Sequence, residues 1–275
     1  MKTRRVNLLQ YPYILWAGLF IVIPLAIVLA YSFTLRGRFS LENYRRFLTP
    51  VYAGVLYRSV VLAVKSTIVC LVIGYPAAMI INSLPRLWRN TALLILVIPM
   101  WINFLLRTYA WMVLLGRRGV LNRILEFLGL PAQDWLYTET AVLIGMVYNF
   151  LPFMILPLYS ALSRIGRETI EAAEDLGANQ FVVFRRIILP LSIPGVIVGI
   201  TMVFMPAVST FVVSALLGGG QYMLIGNLVE QQFLNAGDWS FGSALSIIMM
   251  AVILVTMALV SRYDRGASRE GGNLW

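Results

Sequence analysis

Six blocks of about twenty unbroken apolar residues, over 13–33, 62–82, 91–115, 141–163, 196–217 and 242–261, limit this chain to a small set of folds. At 1.5 Å rise per residue, a helix of about 20 residues crosses the roughly 30 Å hydrocarbon core of a bilayer. Inside that core every backbone polar group must be satisfied without water, which a helix does by itself. Membrane β-strands would instead show about ten residues of strict alternation. The blocks therefore predict an all-α membrane protein with six transmembrane helices, forming a single domain over 1–275. Composition agrees, since 60% of the 275 residues are hydrophobic and 12% charged, about half the charge of an ordinary soluble domain. Lys2, Arg4 and Arg5 precede the first block as in a signal peptide. That block is longer than a signal h-region and lacks a small-residue cleavage site, so it reads as a retained span.

The net charge of +10 comes from basic residues scattered through short loops. They form no stripe with interleaved aromatics, which argues against nucleic acid and for membrane lipid as the surrounding partner. With a cytoplasmic N-terminus, the inner segments hold twelve Lys and Arg and the outer loops eight. An even number of spans puts both basic ends on one side, and the expected topology has the N-terminus and C-terminus cytoplasmic.

Missing residue types exclude several chemistries. With no histidine in the chain, His-based catalysis and His metal ligation are impossible, and no catalytic or metal site is predicted. The single cysteine, Cys70, lies in an apolar run and reads as a small buried hydrophobe. Lys65 precedes Ser66 as in a phosphate loop, but Ser59 and Val64 stand where glycine is needed. None of the twelve acidic residues falls inside a block, while Lys65 and Arg107 do. A carrier driven by protons or sodium commonly uses an intramembrane carboxylate, so the driving force is expected from a partner.

The segment 164–190 differs from the other connections. Thr169, Ile170, Ala173, Leu176 and Gly177 can share one face at helical spacing, with Glu168, Glu171, Glu174 and Asp175 toward the others. This predicts a short amphipathic helix outside the membrane, ended by Gly177 in the left-handed conformation. Phe181, Val182, Phe184 and Arg185 begin a second short helix that Pro190 and Pro194 should stop before the fifth span. Periodicity alone allows either a helix-turn-helix knob or a long solvated linker.

Glu171, Ala172, Ala173, Gly177, Ile187, Leu189 and Pro190 fill every defining position of the pattern E-A-A-x-x-x-G-x9-I-x-L-P. The chain thereby resembles the permeases of binding-protein-dependent ABC importers. I-P-M-W-I-N at 98–103, G-M-V-Y-N-F-L-P-F-M-I-L-P-L-Y-S at 145–160 and the segment 224–242 extend the resemblance to the spermidine/putrescine type. It implies a heterodimer with a second homologous permease, two copies of a cytoplasmic ABC ATPase and a periplasmic solute-binding protein, in a bacterial inner membrane. ATP and Mg would be bound by the ATPase, leaving this chain without a cofactor. The knob would be the coupling helix, seated in a groove of the ATPase. There Ala172 and Ala173 permit close approach, Gly177 permits the turn, and Asp175 with the neighbouring glutamates supplies polar contacts.

Prolines at 24, 76, 99, 152, 157 and 206 put at least one in every span but the last, where each can bend its helix. Gly195 and Gly199 form a small-residue pair that reads as a packing contact. Trp101, Asn103, Tyr109, Tyr148 and Asn149 are polar or aromatic groups inside spans three and four, and they are the candidates for a solute pathway. Aromatic faces suit a polyamine. Lys65 and Arg107, with no carboxylate in the spans, suit an opine, an amino-acid-like or another small organic solute, so both remain open. A secondary transporter, a channel and a membrane-embedded enzyme fit less well, for want of intramembrane acids, histidine or a thiol cluster.

Overall fold

A computed structural model describes residues 11–270, with side chains over 12–260. Lys2, Arg4 and Arg5, and the side chains of Arg262, Arg265 and Arg269, lie outside the described residues. The chain folds as helices α1 (Tyr11–Ala17), α2 (Ile23–Ser32), α3 (Glu42–Phe47), α4 (Pro50–Ser83), α5 (Arg86–Val97), α6 (Phe104–Leu115), α7 (Val120–Phe127) and α8 (Glu139–Leu162). Then follow α9 (Arg167–Asp175), α10 (Gln180–Val183), α11 (Leu189–Ser209), α12 (Val212–Gly218), α13 (Ile225–Glu230) and α14 (Trp239–Glu270). Among the described residues five helices are long and apolar enough to cross a membrane, and a bent pair supplies a sixth crossing. Contacts cluster into two compact units.

The smaller unit takes residues up to Gly54 with Leu228–Ala251. After α2 the chain makes a two-stranded hairpin, β1 (Thr34–Leu35) against β2 (Arg38–Phe39). Arg36 and Gly37 both take positive φ, as a two-residue hairpin turn with right-handed strand twist requires. Asn43 is buried and donates to the Ser32 and Thr34 carbonyls at 3.2 and 3.1 Å, closing the end of α2. Arg46 bonds Asp238 at 2.8 Å and lies 4.1 Å over the Phe241 ring. Burial draws the Arg46 pKa down, but the contacts with Tyr52 and Asp238 outweigh this and leave it raised.

The larger unit runs from Val55 to Asn227 and takes up the chain again from Val252. Its centre is α8, whose apolar window is 56% buried within the chain, against 0% for Pro12–Ser32. In lipid no hydrophobic force favours one apolar helix over another, so close packing decides which helices meet. A Cβ on Gly195 of α11 would come within 2.5 Å of the Ala161 Cβ and 2.8 Å of the Pro157 carbonyl, and one on Gly199 within 2.7 Å of Met154 Sδ. On its other side Gly145 accepts Leu217 and Val213 of α12, where a Cβ would meet them at 2.4 and 2.9 Å. The packing role read for Gly195 and Gly199 is what the structure shows.

Three expectations from the sequence are corrected. Block 91–115 is no straight span, because Arg86–Trp101 and Phe104–Phe127 meet at 96°. Pro99 lies in a 3₁₀ turn over Ile98–Trp101, Ile102 is extended, and the Asn103 side chain accepts from Leu105 N at 2.8 Å to start a new helix. Block 196–217 also divides, with α11 ending at Ser209 and α12 beginning at Val212. Asn227 occupies that gap, donating to the Phe211 carbonyl at 2.8 Å and bonding the Ser214 hydroxyl.

Pro190 and Pro194 do not stop the helix before the fifth span, which runs unbroken over Gln180–Ser209. A π-turn at Phe184–Ile188, in which Leu189 N bonds the Phe184 carbonyl, ends two residues before Pro190. The widened turn removes the four-residue hydrogen bond that a proline ring would otherwise break. The same device precedes Pro24, where a π-turn covers Gly18–Val22. Pro76, Pro152 and Pro157 remain inside continuous helices.

Gly195→Ala is expected to destabilise the protein by about 1–3 kcal/mol, because the added methyl meets backbone that cannot yield. Gly199→Ala is expected to cost less, since its main obstacle is the end of a flexible methionine. Thermal melting of both variants in detergent measures the difference.

Candidate functional site

The segment 164–190 is a helix-turn-helix and not a linker. Helix α9 ends in a Schellman turn: Gly177 takes φ +83°, its N–H bonds the Glu174 carbonyl at 2.8 Å, and Ala178 N bonds the Ala173 carbonyl at 3.0 Å. Two residues on, the Asn179 side chain accepts from Val182 N at 2.9 Å and caps α10. Glycine is required at 177 by conformation, since a Cβ there would meet open space.

Of the face shared by Thr169, Ile170, Ala173, Leu176 and Gly177, only Ile170 and Ala173 are half-buried within the chain. Glu171, Ala172, Asp175 and Gly177 are exposed, and so are the apolar side chains of Leu176, 89% exposed, and Phe181. The knob thus presents small, acidic and unpartnered apolar groups together. Ile187, Leu189 and Pro190 lie in and just after the π-turn, away from that tip. Their stretch is tied to the spans by Phe184, edge-on to the Tyr75 ring at 5.9 Å, and by the Tyr75 hydroxyl, 2.7 Å from Ser192 Oγ. Sequence reading missed Tyr75 and Ser192, because a lone hydroxyl in an apolar run carries no sign of its partner.

The five pathway candidates separate. Trp101, 82% exposed, and Asn103 lie at the break between α5 and α6. Tyr109 is exposed on α6, and Tyr148 on α8 packs edge-on to Trp111 with ring centres 5.2 Å apart. Asn149 is turned into the core, 1% exposed, donating to the Gly145 carbonyl at 2.8 Å. It faces no open space, because neighbouring residues on a helix point about 100° apart. Cys70 is buried, as expected of a small hydrophobe. Among the described residues no cluster of acidic or thiol side chains is arranged to hold a metal.

Lys65, read as a charge in a span without carboxylates, has an acidic partner from just outside the blocks. Its ammonium pairs with Glu139 in the first turn of α8. Helix α4 is 34 residues long, about 51 Å at 1.5 Å per residue, well beyond a bilayer core. Lys65 is about 27 Å along it from Ser83, and Glu139 about 35 Å along α8 from Leu162. The pair therefore lies near the hydrocarbon boundary at the end opposite α9, where both groups keep access to water. Tyr57 and Tyr222 line the same pocket of about 220 Å³. The apolar count missed Glu139 because it precedes the block by two residues while helix α8 already includes it.

Residues 70–269 match the family described as binding-protein-dependent transport system inner membrane component. The chain is 42% identical over 251 residues to the spermidine/putrescine transport system permease protein PotB of Haemophilus influenzae, covering 87% of this chain and 88% of that one. It is 40% identical over 260 residues to the Escherichia coli K12 protein of the same name, covering 91% and 94%. A solved bacterial ABC transporter involved in import of the acidic polysaccharide alginate has the same fold, with TM-score 0.81 at 17% identity over 94% of this chain and 93% of that chain.

Lys65→Glu is expected to lower the amount of folded protein in the membrane, since it sets two acids side by side. Adding Glu139→Lys should restore it by exchanging the pair. Immunoblots of membrane fractions from the single and double variants check this, and a double variant no better than the single would remove the pairing.

Proposed function

Because this chain belongs to the family of binding-protein-dependent transport system inner membrane components, we propose that it forms half of the translocation path for a polyamine of the spermidine/putrescine kind. The chain is a multi-pass inner-membrane permease of an ABC importer, and ATP hydrolysis belongs to a separate subunit. The observation that carries the polyamine reading is about 40% identity along nearly the whole of both chains to permeases of spermidine/putrescine systems. Pairing of Lys65 with Glu139 supports it, because one of the two fixed charges that disfavoured a polycation is neutralised within the chain.

In this reading a second homologous permease completes the path and two ATPase copies bind ATP and Mg on the cytoplasmic side. A periplasmic protein delivers the solute, and both termini are cytoplasmic. Helix α9 seats in the ATPase through Ala172, Ala173 and the exposed Leu176, with Glu171 and Asp175 as polar contacts. Closure of the ATPase dimer moves α9, and the Tyr75–Phe184–Ser192 contacts pass that motion to α4 and α11. Trp101, Tyr109 and Tyr148 offer ring faces to the cation, while the buried Asn149 holds the helix that presents Tyr148.

Gly177→Val should abolish uptake by the assembled importer and loosen the ATPase while leaving the permease in the membrane, because a β-branched residue is strained at positive φ. Normal uptake by that variant would refute the coupling role.

A cation gains roughly 0.5–2 kcal/mol from each ring face. Trp101→Ala and Tyr148→Ala are therefore expected to cut spermidine uptake several-fold per assembled complex, with Tyr148→Phe keeping most of it. Uptake in proteoliposomes, normalised to complex, measures this. Full activity per complex in both alanine variants would take the two residues out of the path.

A further inference from the structure

At the end of the bundle that carries α9, a cleft of about 680 Å³ opens between the last turns of α4 and α8, the start of α5, and α9. Arg86 and Arg89 reach it from the start of α5 and Arg167 from the start of α9, and among the described residues no carboxylate lines it. None of the three arginines is in an ion pair among the described residues. Arg89 donates through Nη2 to the Asn82 and Leu84 carbonyls at 2.7 and 3.1 Å, closing the C-terminal end of α4. Its Nε is buried and finds no acceptor among the described residues. A buried guanidinium N–H without a partner is costly and rare, whereas Arg86 and Arg167 are exposed, so an acceptor from outside meets the cleft through them.

Asn82, Ser83 and Ser163 also line it, beside an apolar stretch that includes Met79, Leu162 and Ile188. The cleft also lies where α4 and α8 end, at Ser83 and Leu162. That is the level at which a span leaves the hydrocarbon and meets the headgroups. A soluble phosphate would use the arginines but not the apolar wall, whereas a phospholipid uses both. We propose that this cleft holds the phosphate headgroup of an anionic phospholipid, with the first carbons of its chains against Met79, Leu162 and Ile188. Basic pockets between membrane helices are suited to such headgroups. Guanidinium is the fitting donor, being planar and able to bond phosphate at two points. The bound lipid joins Arg167 on α9 to Arg86 and Arg89 at the α4–α5 turn. It thereby steadies the base of the knob.

The test uses the assembled importer in nanodiscs of phosphatidylcholine with and without phosphatidylglycerol. Native mass spectrometry should find phosphatidylglycerol retained on the wild-type complex. The double variant Arg86→Gln/Arg167→Gln should lose it several-fold, and Arg86→Lys/Arg167→Lys should keep more than the glutamine pair. Size-exclusion chromatography selects complexes of equal composition, so that a folding defect cannot imitate lipid loss. Phosphatidylglycerol should also raise the melting temperature of the wild type and not that of the glutamine variant. If inorganic phosphate in pure phosphatidylcholine gives the same rise, the site serves a soluble anion and the lipid assignment fails. If the glutamine variant retains as much lipid as wild type, or the wild-type complex retains none, the cleft is no lipid site.

Discussion

Close backbone approach along α8 is the constraint on which the larger unit depends. Gly195 and Gly199 let α11 lie against one side of this helix, and Gly145 lets α12 lie against another. Surrounded by lipid, these helices gain nothing from hiding apolar surface as such. What holds them is the density of van der Waals contact that only small residues permit. The consequence reaches the knob. Helix α11 begins directly after the π-turn that follows α10, and Ser192 on it bonds Tyr75 of α4. A displacement at α9 therefore meets helices already locked together.

Proline has two different effects in these spans. Pro152 and Pro157 stay within α8 and leave it continuous, as Pro76 does in α4. Pro24 and Pro190 each follow a π-turn by two residues, and the helix continues. At Pro99 the chain takes a 3₁₀ turn instead, then an extended residue, then a fresh cap from Asn103, and the path turns by 96°. What separates breaking from continuing is the adjoining chain. A π-turn keeps the carbonyls bonded around a proline, whereas a good capping side chain three or four residues further on makes a new helix the better solution.

Charge is handled by position along the helix. Lys65 and Glu139 come from helices that both outrun the bilayer core, and they meet near its boundary, where a charge retains water and costs little. At the other end Arg86, Arg89 and Arg167 gather, among the described residues, in a cleft without acids where the spans stop. Among the described residues the two ends therefore differ in kind: one carries an internal ion pair, and the other gathers arginines that pair with no acid.

Much of this was legible in the residues alone. Runs of about twenty apolar residues determined helices across a membrane, because a helix satisfies its backbone within the run and a membrane strand would alternate. The spacing from Glu171 to Pro190 determined the family and the left-handed turn at Gly177, because a Schellman end needs glycine whatever surrounds it. Other features were decided only by the tertiary structure. Whether Pro99 breaks its helix and Pro190 does not, whether Asn149 faces a path or the core, and which acid answers Lys65 all depend on contacts between segments far apart in the chain. Hydropathy counts residues along one segment, and Glu139 is 74 residues from the lysine it neutralises. Only a three-dimensional arrangement brings such groups within reach.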